Sequence, residues 1–364
     1  MHLVNIEVCG FEPRFLGGGY AMSFGNQTQL YHRLIRLTAE DGTTGIGEFV
    51  HPAVYDLSEV IALEDAHLPT LEAITLADLP ALLEKWRGGG KLVQGMVFGI
   101  ELAMLDLMGR KLGVPVSSLL GGAVVRDMPE YLSLSAEAPE AMAEIVRKRG
   151  GPFTAIQAKL GGGDISIDLE RTRAVLSAMG PDQLLLADFN CALQPDDAIR
   201  ALPEIKDKRV MWEEPCEGYD GNLEVARALK SPVMFDQCLK DLPTFVRAIQ
   251  DRAAAALVIK PDAIGGLTVG RIARDICAAA DVDVRIDGWW SGQIAGAGAL
   301  HLASGAPPAT MLATIDLTDP LDTPQNLIVR PAPGRVALAP GPGIGPVPES
   351  FFQRAGRPQG DFTL

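Results

Sequence analysis

The 364-residue chain carries a formal net charge of −14, with 47% hydrophobic and 21% charged residues. That composition excludes an intrinsically disordered chain, and the acidic balance argues against a nucleic-acid partner, whose phosphates need a Lys/Arg surface. The length exceeds the roughly 250 to 300 residues at which a single core stops growing, so two domains are expected.

No apolar run reaches the roughly 18 residues of a bilayer span and the N-terminus lacks a basic, then apolar, leader pattern. No membrane partner is therefore expected, and the cytoplasm is the expected location. The five cysteines, Cys9, Cys191, Cys216, Cys238 and Cys277, are scattered and free of C-x-x-C spacing. Buried thiols are expected rather than zinc ligands or disulfides.

In chain order, Leu3-Val4-Asn5-Ile6-Glu7-Val8 reads as a strand, followed by a glycine-rich loop at Gly17-Gly18-Gly19-Tyr20. The run Gln29 to Leu37 reads as a second strand, turning at Asp41-Gly42 into a third that ends near Glu48, because Asp-Gly favours a tight hairpin turn. From about residue 57 to 120 the apolar positions move to helical spacing, most plainly over Met96 to Met108. These elements form an α+β domain over 1–122. Residues 123–324 follow as a second domain, and a Pro/Gly-rich segment, 325–364, is expected to return to the first. Gly341-x-Gly343-x-Gly345 is interrupted by Pro342 and precedes no helical pattern, so it does not read as a nucleotide site.

The second domain is organised by short apolar runs that stop on a charge. They end at Lys159, Asp188, Glu213, Asp236, Lys260 and Asp287, at intervals of 23 to 29 residues. Such intervals hold one strand, one helix and two short loops. With Tyr131 to Leu134 before them and Thr310 to Asp316 after, the strands number eight and predict a (β/α)8 barrel. Its functional side chains converge at the C-terminal ends of the strands. Asp188, Glu213 and Asp236 end three successive strands, and three hard oxygen donors suit a divalent cation, Mg2+ first. Lys159 and Lys260 flank them in barrel order. A poorly solvated lysine beside a cation has a lowered pKa and serves as a base, so opposed lysines suit proton removal from a carbon α to a carboxylate.

These motifs resemble the enolase superfamily, in its mandelate racemase/muconate lactonizing enzyme branch. The quoted residues are Ala158-Lys159, Asp188-x-Asn190, Glu213-Glu214-Pro215, Asp236-Gln237 and Lys260 followed by Gly265-Gly266. The resemblance implies an α+β cap on a modified TIM barrel, with the cap completed by the C-terminal segment. It implies Asp188, Glu213 and Asp236 as ligands of Mg2+, and Lys159 and Lys260 as the acid/base pair. Gln157 stands where the family commonly has a first lysine. Gln-x-Lys is similar to the branch with proline-betaine epimerases and cis-3-hydroxyproline dehydratases. That branch typically has Asp-x-Trp-Gly-Gly-Asp at strand seven, and Gln293 replaces its last Asp.

The expected activity is removal of the α-proton of a small carboxylate to a metal-stabilised enediolate. Racemisation or epimerisation of a proline- or betaine-type substrate comes first, and dehydration of 3-hydroxyproline or a sugar acid second. A barrel that binds without turnover is the reading of another class. Substrate contacts are expected from Tyr20 and Phe24 of the cap loop, and from Gln157, Asn190, Asp287, Trp289, Trp290 and Asp316. Asp316 and Asp319 would pair with an ammonium, and the two tryptophans would face a cationic nitrogen. A homo-oligomer, dimer or octamer, is expected.

Overall fold

The Asp41-Gly42 hairpin forms as its chemistry dictates. Leu30–Ala39 pairs antiparallel with Thr44–Pro52, Gly42 takes φ of 82°, and the Asp41 carboxylate accepts from the Thr43 backbone N–H at 3.0 Å. Leu3–Phe11 pairs antiparallel with the other side of Leu30–Ala39, and Asp361–Phe362 adds a short strand beyond it. The computed structural model describes residues 1–28, 30–52, 57–71, 74–315, 321, 327–348 and 361–362.

Helix Lys91–Leu112 lies across the strand Thr44–Pro52 so closely that the backbones touch. A Cβ at Gly47 would come within 1.9 Å of the Gly99 carbonyl oxygen, so glycine at both positions is a packing requirement. By length and composition this helix is apolar enough to cross a membrane, a segment that run-counting in the sequence passed over. Its residues from Gly95 to Leu107 are all buried, which makes it the core helix of the cap.

The second domain contains eight parallel strands in sequential order: Tyr131–Leu134, Ala155–Lys159, Leu184–Asp188, Val210–Glu213, Val233–Phe235, Ala256–Ile259, Asp283–Ile286 and Met311–Thr314. Helices alternate with them, and the bridge from Glu130 to Thr314 joins the first strand to the eighth in a nearly closed barrel. Inside it, Tyr131, Leu186, Met211, Met234 and Val258 fill the space below the mouth. The strand-end charges sit where the sequence placed them. Lys159, Asp188 and Glu213 are the last residues of their strands; Asp236, Lys260 and Asp287 come one position later.

The C-terminal segment serves both domains. Val329–Ala332 and Arg335–Ala337 form a small sheet with Asp127–Pro129 beneath the first barrel strand. Further on, Ile344 donates its backbone N–H to Asp106 of the long cap helix at 2.8 Å.

The cap is clipped to the barrel at the N-termini of two barrel helices, where backbone N–H groups lack intrahelical partners. Glu101 of the long cap helix accepts from the Thr268 N–H of helix Leu267–Ala279, and Arg87 donates to the Gly265 carbonyl at 2.7 Å. Gly266 has φ of 140° and a Cβ there would meet the Glu101 carboxylate at 2.3 Å. The Gly265-Gly266 pair therefore admits the cap rather than a ligand.

Candidate active site

The barrel mouth and the cap enclose a cavity of about 260 Å³, and Lys159 and Lys260 enter it from strands two and six. Each lysine touches a carboxylate. Lys159 Nζ lies 2.5 Å from Asp188 Oδ2, and Lys260 Nζ lies 2.7 Å from Asp236 Oδ2. Between them Glu213 receives both terminal nitrogens of Arg285, from strand seven, at 2.6 Å each. Three buried carboxylates thus face three cations.

Position on the sheet explains this gathering. Glu213 and Asp188 are direct register partners, as are Asp188 and Lys159. Gln157, two residues before Lys159 and so on the same face, donates to Asp188 at 3.2 Å and to both Glu213 oxygens at 3.0 and 3.1 Å. Its carbonyl oxygen accepts from Ser133 at 2.8 Å. Asn190, held at φ of 43°, donates backbone and side-chain N–H groups to Asp188 and reaches Gln237. Glu214, at φ of 39°, turns away from the cavity and accepts from Asn222 and from the backbone N–H groups of Asp236 and Cys238. That tie fixes strand five against strand four.

The electrostatics follow from burial among like charges. Burial and the neighbouring Glu213 push the Asp188 carboxyl up to about 6. Burial also pushes on Glu213, but the Arg285 guanidinium outweighs it and holds the group at about 2. Burial works against the Lys260 ammonium, yet Asp236 and Asp287 outweigh it and hold its pKa above the ordinary lysine value. The lowered pKa expected from the sequence was that of a lysine beside a bound cation, a different charge environment.

As a donor set the three carboxylates suit a hard cation. They are nearly wholly buried, they stand on adjacent strands, and among the described residues Asp236 Oδ1 has no hydrogen-bond partner. They are not drawn round one point: among the described residues no three His, Cys, Asp or Glu side chains are grouped closely enough to hold a metal. The cause is visible in the pairs above, since each carboxylate leans toward its own cation.

The chain matches the family described as Enolase C-terminal domain-like over residues 137–349. It also matches the mandelate racemase/muconate lactonizing enzyme N-terminal domain over residues 6–121. The chain belongs to the enolase superfamily. Among superfamily relatives it is similar to a cis-3-hydroxy-L-proline dehydratase of Roseibium aggregatum, 27% identical over 98% of this chain and 99% of that one. An N-succinylamino acid racemase of Amycolatopsis is 27% identical over 91% of both. A superfamily member from Roseovarius nubinhibens, solved in complex with magnesium, superposes with a TM-score of 0.87 at 25% identity over 100% of this chain and 99% of that one. Racemases, epimerases, a dehydratase and cycloisomerases recur among the relatives, so the chain is an enzyme of isomerase or lyase type.

Against that background the expected substrate wall divides. Phe24, Gln157, Asn190, Asp287, Trp289 and Trp290 all line the cavity. Tyr20 does not: it is buried beneath the cap loop against Phe15 and Trp290, and its hydroxyl bonds Ser133, so it supports Gln157 from behind. Gln293 is likewise removed from the cavity. Its amide oxygen accepts from the Leu327 and Ile328 N–H groups at 3.1 and 2.9 Å, so it anchors the C-terminal segment and says nothing about substrate charge. Trp289 already carries a cation over its ring, Lys91 Nζ at 5.3 Å from the centroid. Asp316 and Asp319 lie outside the described residues. Of the cysteines only Cys191 is part-exposed, and burial raises its thiol pKa, which leaves it a poor nucleophile.

Arg285, Tyr131 and Lys91 were missed in the sequence. Arg285 carried one usable signal, its place two residues before Asp287 and hence on the inward face of strand seven.

Proposed function

We propose that this enzyme removes and returns the proton α to a carboxylate, racemising or epimerising a small amino-acid-derived substrate of proline or betaine type. The observation that carries this reading is the pair of lysines: Lys159 and Lys260 reach one small cavity from strands half a barrel apart. Two bases on opposite sides of one carbon allow one to take the proton and the other to supply it on the far face. Asp188, Glu213 and Asp236 would hold Mg2+, which when bound supplies positive charge where negative charge gathers on the substrate carboxylate. Phe24, Trp289 and Trp290 give the cavity its apolar lining. Asp287 Oδ1, buried and without a hydrogen-bond partner among the described residues, offers an acceptor to a substrate N–H.

Dehydration is the second reading, favoured by the near full-length similarity to a cis-3-hydroxy-L-proline dehydratase. There one lysine removes the α-proton and the other assists departure of a β-hydroxyl.

A screen of amino acids, betaines, hydroxyprolines and acid sugars in D2O with Mg2+, read by mass spectrometry, tests both. Deuterium in recovered substrate supports the first reading. Loss of water with a keto or imine product supports the second. Folded protein that neither labels nor consumes any member of these classes would sink both.

A further inference from the structure

Arg285 has no counterpart among the motifs that identify the site, yet it is buried there between two carboxylates. It is 1% exposed. Its terminal nitrogens take both oxygens of Glu213, its Nε lies 2.8 Å from Asp287 Oδ2, and its guanidinium carbon sits 5.1 Å from the centre of the Tyr131 ring. The Tyr131 hydroxyl donates to the same Asp287 oxygen at 3.0 Å. A two-point guanidinium–carboxylate pair is stronger and more rigid than the one-point lysine contacts made by Asp188 and Asp236. Glu213 is thus the one carboxylate of the three whose oxygens are both taken by a single cation.

We propose that Arg285 competes with the divalent cation for Glu213. Metal uptake is then an exchange, and Arg285 sets the affinity of this chain for the cation. This rests on the reading that Asp188, Glu213 and Asp236 hold Mg2+. A fixed guanidinium beside the site repels a divalent cation and also occupies the lone pairs the cation needs. Asp287 and Tyr131 give the guanidinium a second anchor, so it stays in the barrel wall when its hold on Glu213 loosens. Arg285 is in this sense a positioning residue, acting on the substrate through Glu213.

The test is calorimetric titration of the full, chelator-treated chain with MgCl2 and no substrate, comparing wild type, Arg285→Lys and Arg285→Met. Lysine keeps the charge and gives up the two-point contact, so Arg285→Lys binds Mg2+ several-fold more tightly than wild type. Arg285→Met binds at least tenfold more tightly, and melts lower without metal because a buried carboxylate has lost its partner. A folded variant that binds at wild-type affinity or more weakly overturns the exchange while leaving the metal site intact. Absence of Mg2+ binding to wild type and both variants overturns the metal reading and the exchange together. A readout on the wild-type chain needs no variant to fold: the 15N-detected guanidinium signals must include one buried arginine that shifts or broadens as Mg2+ is added. Guanidinium signals unchanged at saturating Mg2+ would also overturn the exchange.

Discussion

The carboxylate of Glu48, on the cap sheet, accepts the backbone N–H of Ala295, in the first turn of the barrel helix Gln293–Ala303, at 2.8 Å. The same carboxylate accepts from Ile294 at 3.1 Å and contacts His32 Nδ1 at 2.6 Å, all of it buried. A Cβ at Gly292 would stand 2.0 Å from Glu48, so the approach depends on that glycine. Glu48→Ala strands several buried donors, and a loss of about 3 kcal/mol is expected in chemical denaturation. Glu48→Gln keeps an acceptor and should lose less. A loss in the Ala variant too small to measure would mean that the clip contributes nothing to docking.

Lys159→Ala and Lys260→Ala should each lower racemisation by at least about 100-fold. Each variant should still exchange the α-proton of one enantiomer through the remaining lysine, and of opposite enantiomers in the two variants. Proton NMR in D2O with R and S substrate separately reads this. Loss of exchange of the same enantiomer in both variants would rule out opposed bases.

Mg2+ should raise the melting temperature of the wild-type chain, because a ligand bound only by the folded state stabilises it by about 2.7 kcal/mol at 100 times its Kd. Asp188→Asn and Asp236→Asn should abolish most of that rise, and EDTA should reverse it in wild type. An equal rise in all three proteins would place the cation elsewhere.

Asp262, just after strand six, is buried, and its Oδ2 accepts the Trp289 N–H at 2.5 Å. Burial is the main reason its carboxyl is pushed up to about 7 from 3.8. A carboxyl that titrates higher in the fold than in the unfolded chain keeps its proton in the fold across that window. Its contribution to stability is therefore greatest below about pH 4 and is lost as pH rises to about 7, by on the order of 4 kcal/mol. Asp262→Asn retains a carbonyl acceptor for Trp289 and should remove this slope. Urea midpoints from pH 4 to 8 that fall equally in both proteins would assign the slope to other groups.

Barrel, cap and the five strand-end charges from Lys159 to Lys260 were legible because each apolar run ends on its charge, and a parallel barrel brings such ends to one rim. The two cap-to-barrel clips were not legible. Glu48 and Glu101 bind backbone N–H groups 247 and 167 residues away, and any residue type supplies a backbone N–H. The role of Gln293 was hidden for a related reason: as the first residue of its helix it accepts from backbone N–H groups of the returning C-terminal segment, which no sequence pattern announces. Tyr20 packs against Phe15 and Trp290, and no sequence pattern separates the inner from the outer face of a glycine-rich hairpin.

The barrel is a hoop with a clasp. Within the described residues its first and eighth strands meet only at the bridge from Glu130 to Thr314, and Arg330 from the C-terminal segment grips Glu130 there at 2.7 and 2.9 Å. Sheets come apart where the fewest bonds cross, so transient opening begins at this seam and spares strands three and four on the far side. Amide hydrogens of Tyr131–Leu134 and Met311–Thr314 should then exchange before those of Leu184–Asp188 and Val210–Glu213, and Arg330→Ala should hasten the former and leave the latter unchanged.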